Sequence, residues 1–241
     1  MVKYDKICIK VLAFDTSTEN LSVAFFDGKR VFSVQSRSKT RHSDGMFRVL
    51  ERFLAKHKAR PGDVDLFAVG LGPGGFSGLR IGVTAAKTLA YALGKKLVGI
   101  SSLYAIALNH DLNAGPVCVV RDARKGNVYA GTFGPGGELK RPRLMTIEAF
   151  LSEVGPGTRY TGDGLETLGK EIRDRAGAKA LLADPKLWRP RAARMVPPAV
   201  ERWCGARFDD CLALLPEYLY DERCNVTQAR QKRKNAEPRA V

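Results

Sequence analysis

The sequence predicts an α/β layered fold, on three observations. Residues 7–100 read as three strands, a helix, a strand, a helix and a strand, a mixed order that needs crossover helices over a sheet. A glycine-rich loop, Gly72-Pro-Gly-Gly-Phe-Ser-Gly78, joins the fourth of these strands to the second helix. The 241 residues, 44% hydrophobic and 27% charged, are enough to bury a core, which excludes disorder as the main state of the chain.

Each element has a local reason. Ile7 to Asp15 is an apolar run rich in strand formers, and Asn20 to Phe26 follows the turn-like Thr16-Ser17-Thr18-Glu19. Asp27-Gly28 marks a hairpin, after which Arg30 to Gln35 alternates apolar and polar. Ser43 suits the N-cap of a helix to about Lys58, with Met46, Phe47, Leu50, Phe53 and Leu54 on one stripe and Arg48, Arg52 and Lys56 opposite. Pro61-Gly62 stops it, and Leu66 to Leu71 is a short buried strand. Ser77 suits the cap of a second helix, Gly78 to Leu93, closed by Gly94. Within that helix Gly78, Gly82, Ala86 and Ala90 recur every four residues, so another backbone can approach that face. Lys96 to Ile100 is the last strand of this region.

Beyond it the pattern weakens. Val117 to Asp122 and Asn127 to Phe133 read as a strand pair, Ile147 to Val154 and Leu165 to Ala176 as helices, and Arg159 to Gly162 as a strand. From Asp184 to Pro198 proline and arginine are frequent and periodicity is lost. The expected division is a first lobe over 1–104, a smaller lobe over 105–227 whose end returns to the first, and a basic disordered tail over 228–241. No internal repeat is strong enough to argue from sequence.

Charge and cysteines bound the function. The formal net charge is +15, and residues 1–100 carry 17 Lys and Arg against 8 Asp and Glu. Such a field suits a polyanionic or acidic partner. The five cysteines, Cys8, Cys118, Cys204, Cys211 and Cys224, form no C-x-x-C pair and read as free thiols of a reducing compartment. No signal peptide or membrane span is apparent, so the expected location is the cytoplasm.

Most catalytic chemistries find no residues. The three histidines, His42, His57 and His110, form no H-E-x-x-H or H-x-x-x-H, so neither a metal site nor a cofactor is expected. There is no G-x-S-x-G elbow, and Ser77 reads as a helix cap rather than a nucleophile. Two spots suit an anion: the 72–78 loop, which is not a Walker A, and Asp15-Thr16-Ser17 at a strand end. Thr161-Gly-Asp-Gly164 is the nearest candidate for a second strand-end element.

Several stretches resemble the landmarks of one family. They are Leu12-Ala-Phe-Asp-Thr-Ser-Thr-Glu19 with Ser22-Val-Ala24, His42-Ser43-Asp44, and Val69-Gly-Leu-Gly-Pro-Gly-Gly-Phe-Ser-Gly-Leu-Arg-Ile-Gly82. Asp122-Ala-Arg-Lys-Gly-Asn-Val-Tyr129, Gly162-Asp-Gly164 and Pro216-Glu-Tyr-Leu219 follow. The family is TsaB (YeaZ), a bacterial subunit of the tRNA threonylcarbamoyladenosine (t6A) machinery, and the resemblance spans roughly Ile9 to Thr227. It implies a two-lobed ASKHA (actin-like, ribonuclease H-like) fold of mixed sheets flanked by helices, with no catalytic residues of its own. It implies pairing with the catalytic paralogue TsaD, which with the ATPase TsaE transfers threonylcarbamoyl to N6 of adenosine 37 of ANN-reading tRNAs. The docking surface implied is on the two helices of the first lobe, at Met46, Phe47, Leu50, Phe53, Leu54, Gly78, Leu79, Gly82, Ala86 and Ala90, with a homodimer through the same surface when alone. Asp15, Thr16, Gly74, Gly75 and Ser77 are the matching vestigial phosphate-binding set.

The departures from the family pattern are specific. Gly75 and Ser77 stand where the family loop has Ser and Thr, and Tyr220 where it has arginine. The basic excess serves either tRNA directly or an acidic partner surface. Two other functions stay open at this level: an ASKHA-fold phosphotransferase using Asp15 and the loop on ATP, and a basic tRNA-binding module using residues 37–60 and the tail.

Overall fold

The computed structural model describes residues 9–37, 42–177 and 180–219. The tail, Cys8, Cys224 and Tyr220 lie outside the described residues, as do the side chains of His42, Ser43 and Asp44, including the expected Ser43 cap. The elements in order are β1 (Val11–Asp15), β2 (Asn20–Phe26), β3 (Val31–Arg37), α1 (His42–Lys56), β4 (Leu66–Gly70), α2 (Phe76–Leu93), β5 (Lys96–Ile100) and α3 (Ser102–Ala107). There follow β6 (Val117–Arg124), β7 (Asn127–Gly134), β8 (Gly137–Thr146), α4 (Ile147–Ser152), β9 (Arg159–Thr161), α5 (Leu165–Ala176), β10 (Leu181–Leu182) and α6 (Ala192–Cys204).

Two five-stranded mixed sheets repeat one topology. The first runs β3-β2-β1-β4-β5; the second, read from its other edge, runs β8-β7-β6-β9-β10. In each, three antiparallel strands form a meander, and two more strands add parallel to the first of them. The topology is therefore duplicated although the sequence shows no repeat. Strand order needs only a pattern of apolar runs and turns, and β9 and β10 are too short to carry more.

Alternation along the strands of the first sheet feeds two cores. Leu12, Phe14, Val23, Phe25, Phe67 and Val69 face α1 and α2, packing on Met46, Leu50, Leu54, Val83 and Ala86. Val11, Ala13, Ala24, Phe26, Leu66 and Ala68 face the opposite way, onto α6. That helix was not foreseen, because Pro197 and Pro198 lie inside it. Its stripe of Ala192, Met195, Val196, Ala199 and Val200 is fully buried, which outweighs the backbone hydrogen bonds the prolines cannot donate.

The chain then runs back along the first sheet as a strap. The Asp209 amide donates to Leu97 O, the Asp209 carboxylate accepts from Gly99 N, and the Glu217 amide donates to Leu71 O. Lys87 on α2 holds it by donating to the carbonyls of Leu212 and Leu214, at 3.0 and 2.9 Å. Among the described residues no helix is long and apolar enough to cross a membrane.

Candidate functional site

The two lobes meet at a cleft of about 460 Å³. Its walls are the β1–β2 turn, the glycine loop before α2, the end of β6 and the turn at Asp163. Asp15 ends β1 with its side chain inward and fully buried. Its Oδ1 accepts from the Ser17 amide and hydroxyl at 2.8 and 2.7 Å, and its Oδ2 accepts from Ser102 Oγ at 2.6 Å. Ser102 Oγ in turn accepts from Gly72 N. The carboxylate therefore ties β1, its turn, α3 and the glycine loop together. A Cβ on Gly70 would lie 1.9 Å from Asp15 Oδ2, so the neighbouring strand needs glycine there.

Thr16 is equally committed. Its hydroxyl donates to Gly78 O at 2.7 Å, and a Cβ on Gly82 would lie 2.1 Å from Thr16 Oγ1. Gly74 sits where a Cβ would meet Ser17 O at 2.4 Å, and the Gly75 amide donates to Ser17 O at 2.9 Å. Thus Asp15 and Thr16 brace the loop from behind. Helix α2 begins at Phe76 with Gly75 as its cap residue and no side-chain cap. Ser77 is exposed in the first turn, so its expected role as cap is corrected.

The sequence reading missed the residue that fills the cleft floor. Arg121, from β6 of the second lobe, is 8% exposed at its side chain. It donates to Pro73 O in the first lobe at 3.0 Å and reaches Ser17 Oγ at 3.5 Å. On its own lobe it pairs with Asp163, 35% exposed, at 3.2 Å. An arginine directly after Val117-Cys-Val-Val120 in a buried strand was the available signal. The Gly162-Asp163-Gly164 element singled out from sequence supplies the carboxylate, and Gly162 is required there because a Cβ would meet Val120 O at 2.1 Å.

The surface residues sort differently from expectation. Met46, Leu50, Phe53, Leu54, Leu79, Gly82, Ala86 and Ala90 are buried in the chain's own core, as is Gly78. In the chain itself these side chains pack inward, and the stripe every four residues on α2 admits the β1–β2 turn and the first sheet. Phe47 alone of the set is exposed. The outward faces offer Phe76, Tyr91 and Leu93 on α2, and Leu212 and Leu215 on the strap beside it. Arg80 lies 3.9 Å over the Phe76 ring and donates to the Tyr218 hydroxyl, joining helix to strap. Burial raises the Glu217 carboxyl, with Glu138 adding to the shift and Arg141 opposing it. Among the described residues no group of three His, Cys, Asp or Glu is placed to hold a metal.

Comparison with known proteins gives a consistent set of likenesses. A family model described as TsaD, tRNA N6-adenosine threonylcarbamoyltransferase, matches residues 34–149. The chain is 31% identical over 216 residues to the tRNA threonylcarbamoyladenosine biosynthesis protein TsaB of Escherichia coli, covering 83% of this chain and 89% of that one. It is 28% identical over 217 residues to the protein of the same name from Bacillus subtilis, covering 87% and 93%. Its fold matches a crystal structure of a Pseudomonas aeruginosa protein described as similar to the peptidase YeaZ, with a TM-score of 0.76 and 25% identity, over 88% of this chain and all of that one.

Proposed function

The chain belongs to the TsaB (YeaZ) family, and from that premise we propose that it works in tRNA threonylcarbamoyladenosine biosynthesis as a non-catalytic pairing subunit. Its partner is the threonylcarbamoyltransferase TsaD, to whose family model it is itself similar. The ATPase TsaE and the tRNA meet it through that complex, and alone it pairs with a second copy of itself.

The observation that carries this reading is the commitment of Asp15. A strand-end carboxylate that handled a nucleotide phosphate would face the cleft; this one is buried, with both oxygens taken by Ser17 and Ser102. The same burial weighs against a phosphotransferase acting alone. The surface left for a partner is the outward face of α2 with Phe47 and the strap, where Phe76, Tyr91, Leu212 and Leu215 are exposed.

Co-elution with the organism's own TsaD tests the surface. Phe76→Asp with Tyr91→Asp changes only exposed side chains, so the fold should hold while pairing is lost. Persistent co-elution of a folded double variant would place the partner elsewhere. Charging Gly82 or Ala86 does not serve, since both positions lie inside the chain's own packing.

A further inference from the structure

We infer that a groove on the second lobe, beside Trp188, seats an unpaired nucleotide of an RNA strand. The groove has a volume of about 670 Å³ and lies between α5 and the segment that follows β10. Its apolar lining is Leu165, Leu182, Ala183 and Trp188. No residue of α1, α2 or the strap lines it, so it is separate from the proposed pairing surface.

The indole is held in place by its surroundings. Trp188 Nε1 donates to Ala183 O at 2.9 Å, and the side chain packs on the core of the second lobe. The carbonyls on either side of it, Leu187 O and Arg189 O, accept from Asn109 Nδ2 at 3.0 and 2.9 Å. Asn109 is itself buried. The ring is therefore oriented before any ligand arrives, yet it is half-buried rather than enclosed. With its one donor satisfied, the indole offers the groove a π-surface and no further hydrogen bond. Such a surface accepts a planar ring of any identity, which is how unpaired bases are held without reading sequence.

Cations stand on both sides of the indole. Lys170 and Arg173, three residues apart on α5, line the groove and are exposed. Lys186 and Arg189 flank Trp188 in sequence and are also exposed, and Arg189 lines the interlobe cleft rather than the groove. None of the four makes an ion pair with a described residue. Of the two carboxylates lining the groove, Asp184 accepts from the Lys186 amide at 2.8 Å, which leaves Asp174 as the opposing charge. A free mononucleotide needs cations on one side of its ring only. Cations on both sides fit a strand whose backbone passes the ring. The proposed role in tRNA modification supplies the kind of RNA; the stacking itself does not depend on pairing with TsaD.

The chain has two tryptophans, so Trp203→Phe leaves Trp188 as the single indole reporter. In that full-length background a short single-stranded RNA and an unmodified tRNA transcript should both quench the emission. AMP at the same nucleotide concentration should not. Trp188→Ala should lower RNA affinity about tenfold near 0.1 M salt with the salt dependence unchanged, and Trp188→Phe should keep most of it. Lys170→Gln with Arg173→Gln should instead lower affinity and reduce the slope of log K against log salt by about 1–2. No RNA binding, or binding without quenching, would overturn the assignment. So would equal quenching by AMP, which would make the groove a mononucleotide site. Loss of TsaD co-elution in these variants with RNA binding intact would make it a protein contact, which also overturns it. If Trp188→Ala does not fold, the quenching and the Lys170 and Arg173 pair still decide. A failed pairing surface on α2 would leave these results untouched.

Discussion

Thr16 and Gly82 are fitted to each other: the threonine hydroxyl occupies the space where a side chain at Gly82 would begin, 2.1 Å from an ideal Cβ. The same hydroxyl donates to Gly78 O one turn earlier on α2. The helix therefore lies against the β1–β2 turn at backbone distance, and the glycine loop between them is braced from behind.

Gly82→Ala should accordingly destabilise the protein by about 2 kcal/mol, an overpacking cost. Thr16→Ala removes the clashing oxygen, leaving Thr16 Cβ at 3.3 Å from the new methyl group. The double variant should be more stable than the sum of the two singles predicts, with a coupling of about 1 kcal/mol or more. Urea unfolding of the four proteins of the cycle measures it. Simple additivity would mean that the helix shifts freely away from the turn.

Arg121 crosses between the lobes, and its neutralisation should depend on how it is done. Asp163→Ala strands a buried guanidinium with only the Pro73 carbonyl and the Ser17 hydroxyl for partners. Arg121→Met removes the charge while keeping a stem of similar length. The first should cost more, roughly 2 kcal/mol against about 1 kcal/mol, a modest difference because Asp163 is one-third exposed. Denaturation midpoints at constant m settle the order, and a larger loss for Arg121→Met would contradict the account.

Cys118 and Cys204 should react differently. Burial pushes the Cys118 thiol up to about 11, with Thr132 opposing the shift through a hydrogen bond. Cys204 is exposed at the end of α6. A thiol reagent at pH 8 should label Cys204 within minutes and leave Cys118 unmodified in the native protein, read by peptide mapping. Rapid native labelling of Cys118 would mean that the second sheet opens readily.

Glu217 gives the strap a dependence on pH. Its carboxyl is raised by burial, so the folded state holds its proton more tightly than the unfolded state does. The contribution of this group to stability is therefore full below the ordinary glutamate value and is lost as pH rises through the raised one. Glu217→Gln should stabilise the protein at neutral pH, and the gain should shrink to nothing as pH falls below the ordinary value. Thermal unfolding at pH 7 and pH 4 tests the sign. A gain that grows toward acid would reverse it.

The first lobe was readable because its signals are local and agree. Asn20–Phe26 alternates between two buried faces, Asp27-Gly28 turns it, and Gly94 closes α2 in a left-handed conformation. What escaped had conflicting signals. The edge strand β8 carries Lys140, Arg141, Pro142 and Arg143, which blunt an edge and also hide its periodicity. In α6 two prolines mask a regular buried stripe. The small-residue stripe of α2 says that a backbone approaches but not whose, and here it is the chain's own. Arg121 belongs to a contact between residues 48 and 42 positions away, which no local pattern encodes.

The central claim is that this chain is a required but non-catalytic partner. Threonylcarbamoyl transfer to tRNA, reconstituted from the organism's own TsaD and TsaE with and without the chain, tests it most directly. The account predicts product only when the chain is present, undiminished by Asp15→Asn in a chain that still folds. Equal product without the chain would contradict it.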